Sequence, residues 1–271
     1  MSDTMLGRFA AEIREMLQEL VEYRELLYRM TARDLLLRYK QTAMGVCWAI
    51  FMPVLNMAIF SVIFTRVAPI DTGLPYPVYA YCGLLPWNFF ASSLKFSATS
   101  LTGNPSLVSK VYFPREVFPF SAVLASLVDF AVGATVLAGL MAYYRIGIGS
   151  AILFLPVVLG VHVAFTAGVS LVLAMANLFY RDVKYIFEIV LAVWMFATSV
   201  VYPVERVGGR LGEVLKLNPM TPIIDAYRAV VLRGELPPVG PFAAATALAL
   251  LCLAAGWIAF HRAEFKFAER V

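Results

Sequence analysis

Apolar residues gather along the chain into long runs separated by short polar stretches. Six runs stand out, roughly Ala43 to Thr65, Pro77 to Leu101, Val117 to Met141, Ser150 to Ala176, Tyr185 to Val201 and Phe242 to Phe260. A run of ~20 apolar residues at about 1.5 Å per residue crosses a hydrocarbon core of about 30 Å, so these runs predict spanning helices. Pro53 and Pro86 fall inside the first two, where neighbouring helices can satisfy the freed backbone groups, and predict kinks. Upstream, Phe9, Ile13, Met16, Leu17, Leu20, Leu27 and Met30 recur at helical spacing, with Glu12, Glu15, Glu19 and Glu22 on the other face. That pattern predicts an amphipathic helix from Arg8 to Met30. Thr31, with Asp34 three positions later, has the spacing of a fresh helix start leading into LLLRYKQT, a helix suited to lie in the membrane interface. Tyr202 to Pro241 is too polar to span, yet LNPMTPIIDAYRAVVL within it is a half-length amphipathic run. Short helices dipping into the outer leaflet and a solvated loop fit this segment equally well.

Composition supports the same picture. Of 271 residues, 61% are hydrophobic and 15% charged, against about 45 to 50% and about 25% in soluble domains. The fold class is an all-α integral membrane protein with six transmembrane helices. Residues 1–42 form an amphipathic interface region, and 43–271 a six-span domain with short re-entrant helices in about 202–241. With the amino terminus inside, the inner segments carry fourteen Lys and Arg and the short outer loops only Arg66 and Arg145. The positive-inside rule then puts both termini in the cytoplasm. It also accounts for the net charge of +4 without a nucleic acid partner. Cys47, Cys82 and Cys252 lie far apart with no metal-ligand spacing, so no metal is expected. The 42 residues before the first apolar run carry many polar and charged side chains, which predicts that no signal peptide is cleaved there.

Besides Glu188, one turn into span five, three ionisable residues interrupt the spans: Lys95, Asp129 and His162. A charge at the bilayer centre costs roughly 2.5 to 3.5 kcal/mol on insertion scales, so each should find a partner. Lys95 and Asp129 lie at depths that a lysine stem could bridge, which predicts a pair bracing spans two and three. His162 has no carboxylate one turn away and reads as a packing residue. Arg181, Asp182 and Lys184 mark a tight inner turn, either a solvated loop or a contact for a partner.

Between spans two and three lies NPSLVSKVYFPREVFPF, Asn104 to Phe120. Pro114 and Pro119 prevent a continuous hairpin, and Asn104-Pro105 marks a turn. Ser106 to Tyr112 is therefore a brief helix at the membrane face, a basic and aromatic peg able to seat in a groove on a cytoplasmic partner. The segments RYKQTAMGVCWAIFMPVLNMAIF, YCGLLPWNFFASSL, VYFPREVFPF, ANLFYRDVKYI and LNPMTPIIDAYRAVVLRG, in that order over about 200 residues, resemble the membrane subunits of bacterial ABC exporters for lipid-linked polysaccharide, in their O-antigen and teichoic acid branch. The resemblance implies a homodimer carrying two copies of an ABC ATPase subunit, which binds the ATP and magnesium, so that this chain holds no cofactor. It implies an ATPase-coupling segment of Ser106, Leu107, Val108, Lys110, Tyr112, Phe113, Pro114, Arg115 and Glu116. It implies a polymer channel lined by spans one and five, for which Trp48, Phe51, Phe60 and Trp194 are the candidates. The substrate would be an undecaprenyl-type lipid-linked polysaccharide, its anionic head group met by Arg33, Arg38 and Lys40, in the bacterial cytoplasmic membrane.

The sequence has no GxxxxGK[ST] phosphate loop, so the energy of transport is expected from a separate ATPase chain. A membrane-embedded transferase would need a nucleophile with its base, paired acids or a metal, and no such constellation is spaced in the sequence. A type-2 exporter of capsule polysaccharide or of small molecules is the alternative within transport.

Overall fold

The computed structural model describes residues 14–16, 18–40, 45, 47–67, 69–70, 72–110, 113–204 and 207–269. Every regular element among them is helical. The interface helix α1 (Arg24–Tyr39) is followed by α2 (Cys47–Val62), which runs into a wider turn at Ile63–Val67. Next come α3 (Tyr76–Ser100), the short α4 (Pro105–Lys110), α5 (Val117–Tyr143), α6 (Leu155–Phe179) with a tight 3-10 entry at Ser150–Phe154, and α7 (Val183–Phe196). Two short helices, α8 (Gly209–Lys216) and α9 (Met220–Arg228), precede the long α10 (Val239–Ala263), which tightens into a 3-10 turn at Glu264–Glu269.

Among the described residues four stretches are long and apolar enough to cross a membrane: Cys47–Val67, Val117–Tyr143, Ser150–Phe179 and Val239–Phe267. The second and fifth predicted runs also fold as helices. However, α3 carries Asn88, Ser92, Ser93, Lys95 and Ser97 along its length, and α7 is only 14 residues long. Pro53 and Pro86 sit inside α2 and α3 as expected.

One expected boundary is overturned. Thr31 starts no helix: it lies inside α1, where its Oγ1 donates to the Leu27 carbonyl at 2.7 Å. A threonine hydroxyl can back-bond within a helix as readily as it caps one. The irregularity falls instead at Tyr23, although the Tyr23 amide still reaches Glu19 O and Leu27 reaches Tyr23 O.

Among the described residues the chain buries two main apolar cores, beside a small third cluster of Tyr76, Tyr79 and Ala80. The larger is built around α3, with Tyr81, Leu84, Phe90 and Leu94 fully enclosed where α2, α5, α6, α7 and α9 pack on it. The smaller lies at the end of the bundle that carries α4. There Met16 and Met30 of the amino-terminal region meet Val108, Phe113, Phe118, Phe260 and Phe267. Helices α6 and α10 approach closely: a Cβ on Gly168 would lie 2.6 Å from the Cys252 carbonyl carbon, and one on Gly256 would lie 2.6 Å from Gly168 O. Small residues let helix backbones meet in this way where lipid gives no hydrophobic drive to associate.

Candidate functional site

The α4 segment is shaped by its first residues. Asn104 closes the turn after α3, its Nδ2 donating to Ser100 O at 2.8 Å, and its carbonyl accepts the Leu107 and Val108 amides at 3.1 Å each. Pro105 occupies the first helical position, where its missing N–H costs nothing. Six residues then divide by face. Val108 is fully buried and Leu107 half-buried, while Ser106, Ser109 and Lys110 are exposed. Phe113 is buried against Phe118, ring centroids 5.5 Å apart. Tyr112 lies outside the described residues.

The turn after α4 is fastened on two sides. Arg115 Nη1 donates to Glu264 Oε1 at 2.8 Å, the Arg115 amide donates to the same oxygen at 3.1 Å, and Nη2 reaches Val108 O at 3.4 Å. Glu116 Oε1 lies 2.9 Å from His261 Nδ1. From the other side, Arg33 Nη1 donates to Asn104 Oδ1 at 3.0 Å, and Ser121 Oγ donates to Asp34 Oδ2 at 2.7 Å. Glu116 is only 3% exposed; burial pushes its carboxyl above the ordinary carboxylate range, with the Glu264 charge adding to the shift. Displacing α4 would thus load α1, α3, α5 and α10 together. Glu116, His261 and Glu264 also bring three metal-ligating atoms, two carboxylate oxygens and a ring nitrogen, within 4.8 Å of one another, a grouping that sequence spacing did not reveal. Arg115 already holds one of those carboxylate oxygens.

The predicted coupling residues therefore have two kinds of surroundings. Ser106 and Lys110 face outward, whereas Val108, Phe113, Arg115 and Glu116 point inward and hold the turn, with Leu107 and Pro114 between. Sequence reasoning missed Asp34, His261 and Glu264. The last two approach the turn from about 145 residues away, and the one signal was an acid between Arg262 and Lys266.

The proposed head-group cations are partly engaged. Arg33 bonds Asp34 at 2.9 Å as well as Asn104. The Arg38 side chain, 7% exposed, donates to Asp129 Oδ2 at 2.7 Å and stacks on Phe96 at 3.7 Å. Lys40 is exposed at the end of α1. This corrects the expected brace between Lys95 and Asp129. The Asp129 carboxylate is taken by Arg38 and by Tyr39, whose hydroxyl donates to Oδ1 at 2.6 Å. Lys95 opens on a small cleft with Lys184 and Glu188 instead. The interface helix folds back onto α5, so its cation reaches Asp129 first.

Among the channel candidates, Trp48 and Phe51 lie together on α2, 37% and 43% exposed, their rings edge to face at 5.6 Å. Phe60 stacks on Phe64 at 6.3 Å against Tyr76 and Tyr79. Trp194 turns toward the core, packing on Trp87 and Phe90 and donating Nε1–H to Asn218 Oδ1 at 3.0 Å. His162 is buried against the Phe89 edge, with Nδ1 3.4 Å from the Tyr227 hydroxyl. In α9, Arg228 is 2% exposed. It donates to the carbonyls of Ser199 and Val200, pairs with Asp225 at 3.2 Å and lies over Tyr79 at 3.8 Å.

A bundle of apolar helices with an exposed helical peg, clamped at its base, has the form of a membrane transport subunit. Residues 25–232 match the ABC-2 type transporter membrane family, and the chain belongs to it. It is 32% identical over 260 residues to the O-antigen export system permease protein RfbA of Myxococcus xanthus, covering 94% of this chain and 99% of that one. It is 28% identical over 214 residues to a Klebsiella pneumoniae RfbA, covering 78% of this chain and 82% of that one. It is 22% identical over 211 residues to the polysialic acid transport protein KpsM of Escherichia coli, covering 75% of this chain and 80% of that one.

Proposed function

We propose that this chain is the permease subunit of an ATP-driven exporter that moves a lipid-linked polysaccharide of the O-antigen type across the cytoplasmic membrane. The observation that carries the reading is the end-to-end match to an O-antigen export permease, which spans 99% of that relative's length. Six helices cross the bilayer, α3 and α7 among them, with both termini and α4 on the cytoplasmic side. Helices α8 and α9 re-enter from the outer side. Two copies assemble with two copies of an ABC ATPase supplied by another chain.

In this reading the exposed residues Ser106, Ser109 and Lys110 of α4 meet the ATPase. The Arg115–Glu264 and Glu116–His261 contacts keep the peg stiff, so movement passes into the bundle rather than into a flexible loop. Helices α2 and α7 line the path of the polymer. Of the six proposed spans they bury the fewest residues, none on α2 and only Leu191 on α7. Rings such as Trp48 and Phe51 offer faces to the C–H patches of sugars.

Reconstitution tests the proposal. Phosphate release should appear only when chain and ATPase are combined, and cells lacking the chain should accumulate lipid-linked glycan on the inner side while losing it from the surface. Unchanged surface glycan after deletion would contradict it. KpsM similarity keeps a capsule polysaccharide as the second substrate reading.

A further inference from the structure

Between α1, α2, α3 and α5 lies a cavity of about 430 Å³, lined by Arg38 and Trp48, the head-group and channel candidates, together with residues that no expected role uses. Its volume falls within the range of small-molecule pockets, about 300 to 1,000 Å³. Its walls are of two kinds. Trp48, Phe89, Phe96 and Phe130 contribute rings, while Asn56, Asn88 and Ser92 contribute two amides and a hydroxyl. None of those three polar side chains has a hydrogen-bond partner among the described residues. All three stand on helices expected to lie in the bilayer, where an unanswered polar group is costly. Their convergence on one cavity points to an occupant that answers them.

The charges present narrow its chemistry. Arg38 Nη1 is matched by Asp129 and Nη2 donates to Ala122 O and Ser126 Oγ at 3.2 Å each, while the buried Nε has no hydrogen-bond partner among the described residues. Tyr39 takes the other carboxylate oxygen. The cavity thus presents a neutralised pair rather than a free cation, which is poor chemistry for a diphosphate. Amides, each a donor and an acceptor, suit adjacent hydroxyls, and ring faces suit patches of C–H. Both features belong to an uncharged sugar ring.

We infer that this cavity binds a neutral glycosyl unit of the transported chain, separately from the anionic lipid head. The inference rests on the permease reading above. It also links binding to the peg, because α1 and α3 border the cavity and both are attached to α4, through Arg33–Asn104 and through the chain itself.

Saturation-transfer NMR on the full chain in lipid nanodiscs tests it, with mannobiose and galactobiose as probes and inorganic pyrophosphate as the charged competitor. The C–H protons of at least one disaccharide should take up saturation. Asn88→Leu should reduce that signal at least fivefold, as should Asn56→Leu on α2, a helix with no buried residue whose alteration leaves the core intact. Pyrophosphate should not displace the sugar. Absence of saturation with both disaccharides, an unchanged signal in both variants, or displacement by pyrophosphate each overturns the assignment. In cells, glycan export by N56L at the wild-type rate overturns the pocket while leaving the permease standing. No glycan export by the wild-type chain removes the permease reading and the pocket's role with it.

Discussion

Helices α2 and α3 follow each other in the chain and both read as spans, yet they occupy opposite environments. Of the 25 residues of α3, 17 are buried, whereas α2 buries none. The enclosed helix is the more polar one, with Asn88, Ser92, Ser93, Lys95 and Ser97, while α2 belongs to a stretch that passes the hydropathy test for a span. A soluble protein would show the reverse. Lipid tails are as apolar as leucine, so burial in a membrane is decided by packing and internal hydrogen bonds rather than by escape from water. Seen this way, α3 is the mast of the structure and α2 a working surface awaiting a second chain, lipid or cargo.

The largest effect should come from α3. Gly83 sits where a Cβ would fall 2.3 Å from Val200 O and 2.4 Å from Arg228 Nη2. Gly83→Val should therefore cost about 3 kcal/mol or more, since backbone cannot yield as a side chain does. Thermal melting in detergent should show little folded protein. Next is Arg228→Met, which removes the charge partner of Asp225, leaving it the Ser199 hydroxyl, and the donor to two carbonyls beside the same mast. Removing one partner of a buried pair costs roughly 3 to 5 kcal/mol, readable in the same melts.

A smaller, pH-dependent effect belongs to the α4 turn. Burial raises the Glu116 carboxyl above its ordinary value of 4.5, and His261 and Glu264 face it. Over the window from 4.5 up to the raised value, the folded chain holds a proton that the unfolded chain has released. This group's contribution to stability therefore falls as pH rises through that window and is level outside it. Glu116→Gln should flatten that part of the melting-temperature profile. The smallest effect on stability should be on α2, where Phe51→Ala changes stability by less than about 0.5 kcal/mol. On the proposed reading, in which this exposed ring lies along the polymer path, export should nevertheless slow. Equal losses of stability in Phe51→Ala and Gly83→Val would erase the distinction between the two helices.

Much of this was legible in the sequence. The second run, read as starting at Pro77, starts at Tyr76, and the third, starting at Val117, matches its helix there, because proline and a change of polarity punctuate both. The short helix before the Phe-Pro-Arg-Glu turn was equally plain from Asn104-Pro105. What stayed hidden was tertiary. Asp129 takes Arg38 from 91 residues away, and Glu116 takes His261 from 145 away. Neither partner is announced by local spacing, since the return of α1 onto α5 and of α10 onto the turn depends on packing. The enclosure of α3 was hidden for a related reason: hydropathy ranks residues by affinity for oil, and in a membrane both sides of a helix are oil.

The account stands or falls on the exposed face of α4, and Ser109→Cys in a chain with Cys47, Cys82 and Cys252 replaced tests it most directly. Impermeant thiol reagents should reach position 109 only from the cytoplasmic side of sealed vesicles, and a short bifunctional reagent should join it to the ATPase chain. Labelling from the external medium alone would contradict both the orientation and the route by which force enters the bundle.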